Sequence, residues 1–354
     1  MLPQGGDCRS DWAGDARELI VICVDLHDSM AGRLSRESRA RSETFLKHNS
    51  IVYDCFRDWQ AREDGRLAGI ELINFVGDAG LITFLDGNGD AAVEFSCELV
   101  ERVRRHKLET AVGMDVGEVS VLELCDVAEG PMGMRHAVGY AVDRAVRLSW
   151  IAGPGQILAT NAVSAEVDST DFEFLPTVDA VGVSLDKWPD TQNAWGGIRV
   201  HLVERRIAER TGPVARPANI PKLIDYFRRL QLETSDFLRE APKRWQAALN
   251  QFRGTELWHV KLALDDMVDI LENSRRLDNS RIPELDGYRE GTKDCLEDFV
   301  SWRESMLTRL QDLQLNYSKV TRTVLKRLEF EETLQLVAGN LILFCIASLK
   351  RLSA

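Results

Sequence analysis

Glu18-Leu-Ile-Val-Ile-Cys-Val-Asp25 is the stretch that decides the fold, because an unbroken apolar run there ends in a carboxylate. A run of this length without polar alternation predicts a central β-strand that is buried on both faces. Further along, Ile70 to Val76 and Leu81 to Leu85 flank Gly77-Asp78-Ala79-Gly80, which predicts a strand–turn–strand hairpin. The strand and the hairpin together indicate a sheet that contains antiparallel pairs.

The rest of the first part alternates helices with strands. Helices are predicted over residues 42–62, 91–107 and 140–151, and a second pair of strands over 109–115 and 118–124, around Val116-Gly117. The resulting order, β-α-β-β-α-β, is that of the split βαβ arrangement, an α+β fold in which helices lie on one face of the sheet.

Residues 210–221 separate two parts of different composition. Pro213, Pro217 and Pro221 lie in this segment, and prolines at that density stop regular structure. Most of the 25 glycines precede the segment, whereas helical periodicity follows it. We therefore predict a catalytic-type domain over 1–209, a Pro-rich linker over 210–221, and an all-α C-terminal domain over 222–354. This last domain is expected to hold four or five helices, as a sensor or dimerisation module or as an ordinary bundle.

Composition excludes several classes of partner. Lys and Arg number 44 against 56 Asp and Glu, a net charge of −12, which argues against binding to nucleic acid or to an anionic membrane. A small anionic ligand in a local pocket stays compatible with this charge. The seven cysteines are widely spaced without a Cys-x-x-Cys pair, which indicates a reducing, cytoplasmic location. The apolar stretch Leu334 to Leu349 is short for a membrane span and predicts a buried core helix.

Two carboxylates stand at positions that can carry chemistry. Asp25 ends the first core strand, and Asp78 lies in the turn of the hairpin. At one edge of the sheet, two such groups could hold divalent cations against a polyphosphate. The alternative is that each is a turn former or a helix cap, which is the commoner use of Asp at such positions.

Motifs around these carboxylates resemble those of class III nucleotidyl cyclases. The resemblance lies in five segments that occur in the family's order over about 140 residues: Val21 to Met30, Asn74 to Phe84, Ala111 to Val119, Gly139 to Leu148 and Gly153 to Leu158. It implies a class III cyclase domain, ferredoxin-like in its βαββαβ order, which converts a nucleoside triphosphate to the 3′,5′-cyclic monophosphate and pyrophosphate.

The resemblance also implies roles for individual residues. Asp25 and Asp78 match the aspartates that hold two ions per site, Mg²⁺ or Mn²⁺, and Arg147 matches the arginine that stabilises the transition state. Asp143 stands where the family has a ribose-orienting asparagine, and Lys187 lies where it often has a phosphate-binding lysine. Because the family forms its site between two domains and this chain has one copy of each motif, a homodimer with shared active sites is expected.

The positions that match the base-reading pair depart from the family. Asn74 replaces the lysine of adenylate cyclases and His136 replaces their aspartate, and neither is the glutamate or cysteine of guanylate cyclases. Intact chemistry with a new base pair resembles the pyrimidine cyclases of bacterial Pycsar anti-phage systems, which make cyclic UMP or cyclic CMP for a separate effector protein. The alternatives are an adenylate or guanylate cyclase with a divergent base pocket, and a catalytically inactive dimerisation or regulatory module.

Overall fold

The computed structural model describes residues 16–27, 38–124, 134–176, 200–206, 219–251, 257–276, 285, 291–320 and 324–353. These residues form two compact units. The first contains the described residues as far as Trp150, together with Gly155–Ser169. The second contains Ile151–Pro154 and the described residues from Thr170 onward. The predicted α+β class with a helical C-terminal part is confirmed. The predicted domain boundaries stay a prediction.

The first unit is built on a mixed sheet in the order β2-β3-β1-β4-β6, with β5 paired to the far end of β4. Its strands are β1 (Ala16–Leu26), β2 (Glu71–Val76), β3 (Ala79–Leu85), β4 (Thr110–Leu124), β5 (Met134–Val138) and β6 (Ile157–Thr160). The central strand β1 is antiparallel to both of its neighbours, and β6 runs parallel to β4. The predicted central strand is therefore present, and its side chains from Leu19 to Val24 are all buried.

Helices cover both faces of this sheet. The helices of the first unit are α1 (Ser38–Ala61), α2 (Glu63–Leu67), α3 (Gly89–Arg105), α4 (Tyr140–Ile151) and α5 (Asn161–Ala165). Val52 of α1 packs at Gly80, which pairs with Val24, whereas Ser149 of α4 hydrogen-bonds the Cys23 sulfur at 3.2 Å. Successive residues of a strand point to opposite faces, so α1 and α4 lie on opposite sides. The prediction that the helices lie on one face of the sheet is wrong, because β1 is apolar on both of its faces.

Two further sequence predictions differ from the structure around β4. The predicted strands over 109–115 and 118–124 form one continuous strand, since Val116 and Gly117 pair with Ile20 and Leu19 of β1. An extended glycine fits a strand as well as a turn, so Gly117 did not mark a reversal. The strand β5, which pairs with the end of β4 from Ser120 to Leu124, was not predicted.

The second unit combines a two-stranded antiparallel pair with long helices. Its described elements are β7 (Phe172–Pro176), β8 (Val200–Arg205), α6 (Ile220–Gln251), α7 (Leu257–Asn273), α8 (Thr292–Val320) and α9 (Val324–Ser353). Residues 210–218 of the predicted linker lie outside the described residues. Pro221 stands in the first turn of α6, where a missing N–H leaves no helical hydrogen bond unmade.

The core of the second unit is aromatic and is tied to the segment that begins at Ile151. Phe227, Phe299, Trp302 and Phe344 pack with ring centroids 5.0–6.5 Å apart. Trp302 Nε1 and Asn340 Nδ2 both donate to the Ile151 carbonyl at 2.7 Å. Within the described residues, one stretch, Thr333–Ser353 of α9, is long and apolar enough to cross a membrane, but 78% of its most apolar window is buried. That burial agrees with the predicted core helix.

Candidate functional site

The two carboxylates identified in the sequence lie at the same edge of the sheet. The β1–β3 pairing ends at Val24↔Gly80, so Asp25 is the residue after the last pair and Asp78 is two residues before Gly80. Both carboxylates are close enough to the Cys23 thiol to affect it. Burial raises the pKa of Cys23 to about 12, and the charges of Asp25 and Asp78 both add to that rise. The structure therefore places both carboxylates at one edge of the sheet, near Cys23.

The chemistry of this edge fits a hard divalent cation. Asp78 Oδ2 is buried and has no hydrogen-bond partner, and an unpaired buried carboxylate oxygen is costly unless a cation or a donor satisfies it. Among the described residues, no group of three or more His, Cys, Asp or Glu side chains converges as a complete metal cage. Mg²⁺ does not need such a cage, because it commonly takes one or two carboxylates together with water and substrate phosphate oxygens.

The turn that carries Asp78 is held from the neighbouring helix. Gly77 has a φ of +68°, a backbone conformation that suits glycine, and its carbonyl accepts a hydrogen bond from Asn49 Nδ2 at 2.9 Å. Beside Asn49, the fully buried His48 places Nε2 3.2 Å from Thr110 Oγ1. Thr110 Oγ1 in turn donates to the Asp25 carbonyl at 2.8 Å.

Sequence reasoning missed His48 and Asn49. A signal was present, because His48 lies on the same helical face as Val52, Cys55 and Trp59 at spacings of 4, 7 and 11 residues. A histidine on an otherwise apolar face needs a polar partner, and here the partner is Thr110, at the end of β4 that pairs with the Asp25 end of β1.

Arg147 and Asp143 form an ion pair with each other on α4. Arg147 Nε lies 3.0 Å from Asp143 Oδ2, and the two side chains are one helical turn apart. Both reach the surface, with 27% of the Arg147 side chain and 50% of the Asp143 side chain exposed. Exposed pairs of this spacing are weak, about 0.3–0.5 kcal/mol, so a bound anion can compete for the guanidinium.

The helix that carries this pair is seated tightly on β4. A Cβ at Gly113 would lie 2.0 Å from the Ala145 carbonyl oxygen, so the backbones of α4 and β4 approach each other more closely than a side chain would allow. Next to this contact, the buried Asp115 carboxylate accepts hydrogen bonds from Arg144 Nε and Thr160 Oγ1, both at 2.5 Å. Burial raises the pKa of Asp115, while Thr160 and Arg144 oppose that rise. These contacts fix the position of α4 on the sheet.

Asn74 reaches the face of Asp25 through a break in strand register. The β2–β3 pairing shifts between Leu72 and Asn74, so that Asn74 lies opposite Leu81. Leu81 pairs with Cys23, which shares its face with Asp25 two residues on. Asn74 Oδ1 is buried and has no hydrogen-bond partner.

His136 lies on β5 and is partly exposed. Its neighbour Ala137 packs against the hydrophobic cluster that contains Ile73, the residue before Asn74. Because His136 pairs with Leu122 while Ala137 pairs with Val121 of that cluster, strand alternation directs His136 to the other face, and the register does not bring it together with Asn74. Lys187, the predicted phosphate-binding residue, lies outside the described residues.

Comparisons with known proteins give fold-level similarity over about half of the chain. The guanylate cyclase domain of RhGC from Catenaria anguillulae has 16% identity and a TM-score of 0.42, and the match covers 54% of this chain and 98% of that one. The adenylyl cyclase CyaB from P. aeruginosa has 16% identity and a TM-score of 0.41, and the match covers 56% of this chain and 98% of that one. The guanylyl cyclase Cya2 has 17% identity and a TM-score of 0.39, and the match covers 56% of this chain and 98% of that one. No protein-family model matches the chain, and no curated protein matches it. Similarity at these values does not assign the chain to a family.

Proposed function

We propose that this protein is a nucleotidyl cyclase that converts a nucleoside triphosphate to the 3′,5′-cyclic monophosphate and pyrophosphate. The observation that carries the proposal is the meeting of Asp25 and Asp78 at one sheet edge, with a buried Asp78 oxygen that lacks a partner. The cyclase-like motifs in the sequence supply the reaction class.

Asp25 and Asp78 would hold two divalent cations, Mg²⁺ or Mn²⁺, through their carboxylate oxygens. When bound, such ions lower the pKa of the attacking 3′-hydroxyl and neutralise phosphate charge. The part of Arg147 is to stabilise charge that develops on the phosphates, for which a planar guanidinium that stays charged is suited. Asp143 orients Arg147 before the substrate arrives, because its Oδ2 contacts the guanidinium Nε.

The proposed site is shared between two copies of the chain. Apolar side chains near the site elements are strongly exposed, among them Val76 at 69%, Val138 at 57% and Tyr140 at 71%. Exposed apolar surface of this kind is typical of an interaction face. A homodimer would cover it and would let Arg147 of one copy act on the substrate held by the carboxylates of the other.

For the base we propose a pyrimidine, UTP or CTP. Asn74 Oδ1 is a buried acceptor that needs a donor, which N3–H of uracil or the amino group of cytosine supplies. Asn74 is shorter than lysine and neutral, so it lacks the reach and fixed charge with which adenylate cyclases meet adenine. The resemblance to the Pycsar cyclases supports the further proposal that the product is a second messenger for a separate effector protein in bacterial anti-phage defence, within the cytoplasm.

The experiment is a competition among equimolar ATP, GTP, CTP and UTP with Mn²⁺, with the products identified by mass spectrometry. Cyclic UMP or cyclic CMP is expected to dominate, by a large factor, because a wrong base leaves buried polar groups unpaired. Dominant cyclic AMP or cyclic GMP would overturn the pyrimidine assignment and keep the cyclase. Asp78→Asn, which keeps the shape of the side chain, is the matched control and is expected to be inactive.

A second candidate function is a catalytically inactive dimerisation or regulatory module. The ion pair between Arg147 and Asp143 favours it, because a guanidinium that is already paired needs no substrate. Absence of pyrophosphate release with all four nucleotides, from a folded dimer, would support this alternative over the enzyme.

A further inference from the structure

The two proposed metal carboxylates lie beyond the hydrogen-bonded ladder that joins their strands. Pairing between β1 and β3 stops at Val24↔Gly80, while Asp25 follows Val24 and Asp78 lies in the turn. The backbone bonds of this ladder therefore do not set the separation of the two carboxylates. Two carboxylates at one edge repel each other. Asp25 is held on its other side by pairing with Ala111 of β4, so other contacts must fix the hairpin turn relative to that strand end.

From α1, His48 contacts the strand end that carries Asp25 through Thr110. His48 Nε2 lies 3.2 Å from Thr110 Oγ1. The Thr110 hydroxyl gives its only hydrogen to the Asp25 carbonyl at 2.8 Å, so the His48–Thr110 contact places the hydrogen on Nε2. His48 thereby ties α1 to the segment that carries Asp25.

The next residue of α1 reinforces this connection. Asn49 Nδ2 donates to the Gly77 carbonyl at 2.9 Å. Two successive residues of one helix therefore hold the segment that carries Asp25 and the hairpin turn that carries Asp78. A site supported by a packed helix keeps its geometry better than one supported by a loop.

We propose that His48 is a positioning residue that sets the separation of Asp25 and Asp78, and so the affinity of the site for divalent cations. The inference rests on the proposed two-metal function. His48 need not touch the ions or the nucleotide, since it acts through Thr110 and fixes α1, whose next residue, Asn49, holds the hairpin turn. Residues that orient metal ligands in this way typically change metal affinity about 10- to 100-fold when they are removed.

The test is a Mn²⁺ titration of the full chain, followed by the EPR signal of the free ion, for the wild type and for His48→Leu, His48→Gln and Cys55→Ala. Cys55 is the matched control, because it is fully buried on the same face of α1, two turns from His48. We expect a Kd for Mn²⁺ about 10- to 100-fold higher in His48→Leu. His48→Gln should keep most of the affinity, since its amide can donate to Thr110, and Cys55→Ala should match the wild type. The Mn²⁺ concentration for half-maximal turnover should follow the same order, with kcat at saturating Mn²⁺ changed less.

The possible failures are distinguishable. The wild type should bind Mn²⁺ at a site that Asp78→Asn removes. If it shows no such binding, the proposed metal site is wrong, and so is the proposed role of His48. If that binding exists but is unchanged in His48→Leu, the positioning role alone is wrong. Equal losses in His48→Leu and Cys55→Ala would assign the effect to general packing of α1 and would overturn the inference. Should His48→Leu fail to fold, Thr110→Val decides, because it removes the hydroxyl that His48 contacts. A Kd for Mn²⁺ raised in Thr110→Val but not in Cys55→Ala supports the positioning role, whereas an unchanged Kd in Thr110→Val, or an equal rise in both variants, overturns it.

Discussion

Gly113→Ala is expected to damage both stability and catalysis, because the added methyl group enters the contact between β4 and α4. Its Cβ would lie 2.0 Å from the Ala145 carbonyl oxygen and 2.4 Å from the Ser149 backbone nitrogen, whereas real Cβ atoms essentially never approach closer than 3.0 Å. Both neighbours are backbone atoms, so no side-chain rotation can relieve the clash. The helix must move away from the sheet by at least the difference between 2.0 and 3.0 Å.

That displacement gives the size of the expected effects. Overpacking of a tight core contact costs about 1–3 kcal/mol of unfolding free energy, and a clash with backbone belongs at the upper end. The moving helix carries Arg147, and misplacement of a catalytic group by about 1 Å can cost about 100-fold in rate. The assays are urea unfolding, and pyrophosphate release under the conditions in which the wild type turns over its nucleotide.

Gly117→Ala is the matched control on the same strand. Its Cβ would meet Ala141 Cβ at 3.4 Å and Arg144 Nη2 at 3.7 Å, which are ordinary contacts. We therefore expect Gly117→Ala to remain close to the wild type in stability and rate. Wild-type stability and turnover in Gly113→Ala would refute the close approach of α4 to β4. Similar losses in the two variants would refute the argument from distance.

Three further predictions test the site and the second unit. Asp78→Ala and Arg147→Ala should each be inactive alone. After subunit exchange, an equimolar mixture should recover about a quarter of wild-type activity, because half of the dimers are mixed and each mixed dimer holds one intact site of two. An inactive mixture, with exchange confirmed, would place each site within one chain. Dialysis against EDTA should abolish turnover, and added Mn²⁺ or Mg²⁺ should restore it, whereas turnover that survives chelation would exclude the metal role. Trp302→Phe removes one of two donors to the Ile151 carbonyl and should lower the free energy of unfolding by about 1 kcal/mol. Trp302→Phe combined with Asn340→Leu should lower the free energy of unfolding by more than the sum of the single changes, because the buried carbonyl then has neither donor.

Much of the first unit could be predicted because its signals are local. The apolar run before Asp25 defines a buried strand, and the glycines around Asp78 define a turn, so both carboxylates are placed by a few neighbouring residues. Their meeting at one edge then follows from an antiparallel pairing. By contrast, Gly117 favoured a turn in the sequence but lies inside a long strand, because pairing with β1 supplies hydrogen bonds that a short window of sequence does not contain.

The support of the site could not be predicted, because it depends on contacts between residues far apart in the chain. His48 and Thr110 are 62 residues apart, and Arg144 and Asp115 are 29 apart. Neither pair has a spacing that a helix or a strand imposes. The pair of Asp143 and Arg147 differs, because its spacing of four residues is one that a helix imposes. The sequence places Asp143 where the family has a ribose-orienting asparagine, and the structure pairs it with Arg147 on the next turn of the helix.

The face on which Asn74 lies depends on one extra residue in β2. Leu72 pairs with Ile82, and regular alternation would place Ile73 opposite Leu81 and Asn74 opposite Gly80, on the face that α1 covers. The register shift instead sets Asn74 opposite Leu81, on the face of Asp25. A shift of one residue exchanges the two faces of a strand. The bulge therefore decides whether the Asn74 amide belongs to the helix core or to the proposed nucleotide site. Because it leaves Oδ1 buried and without a partner on the side of the carboxylates, the amide has hydrogen-bonding capacity that a base could use.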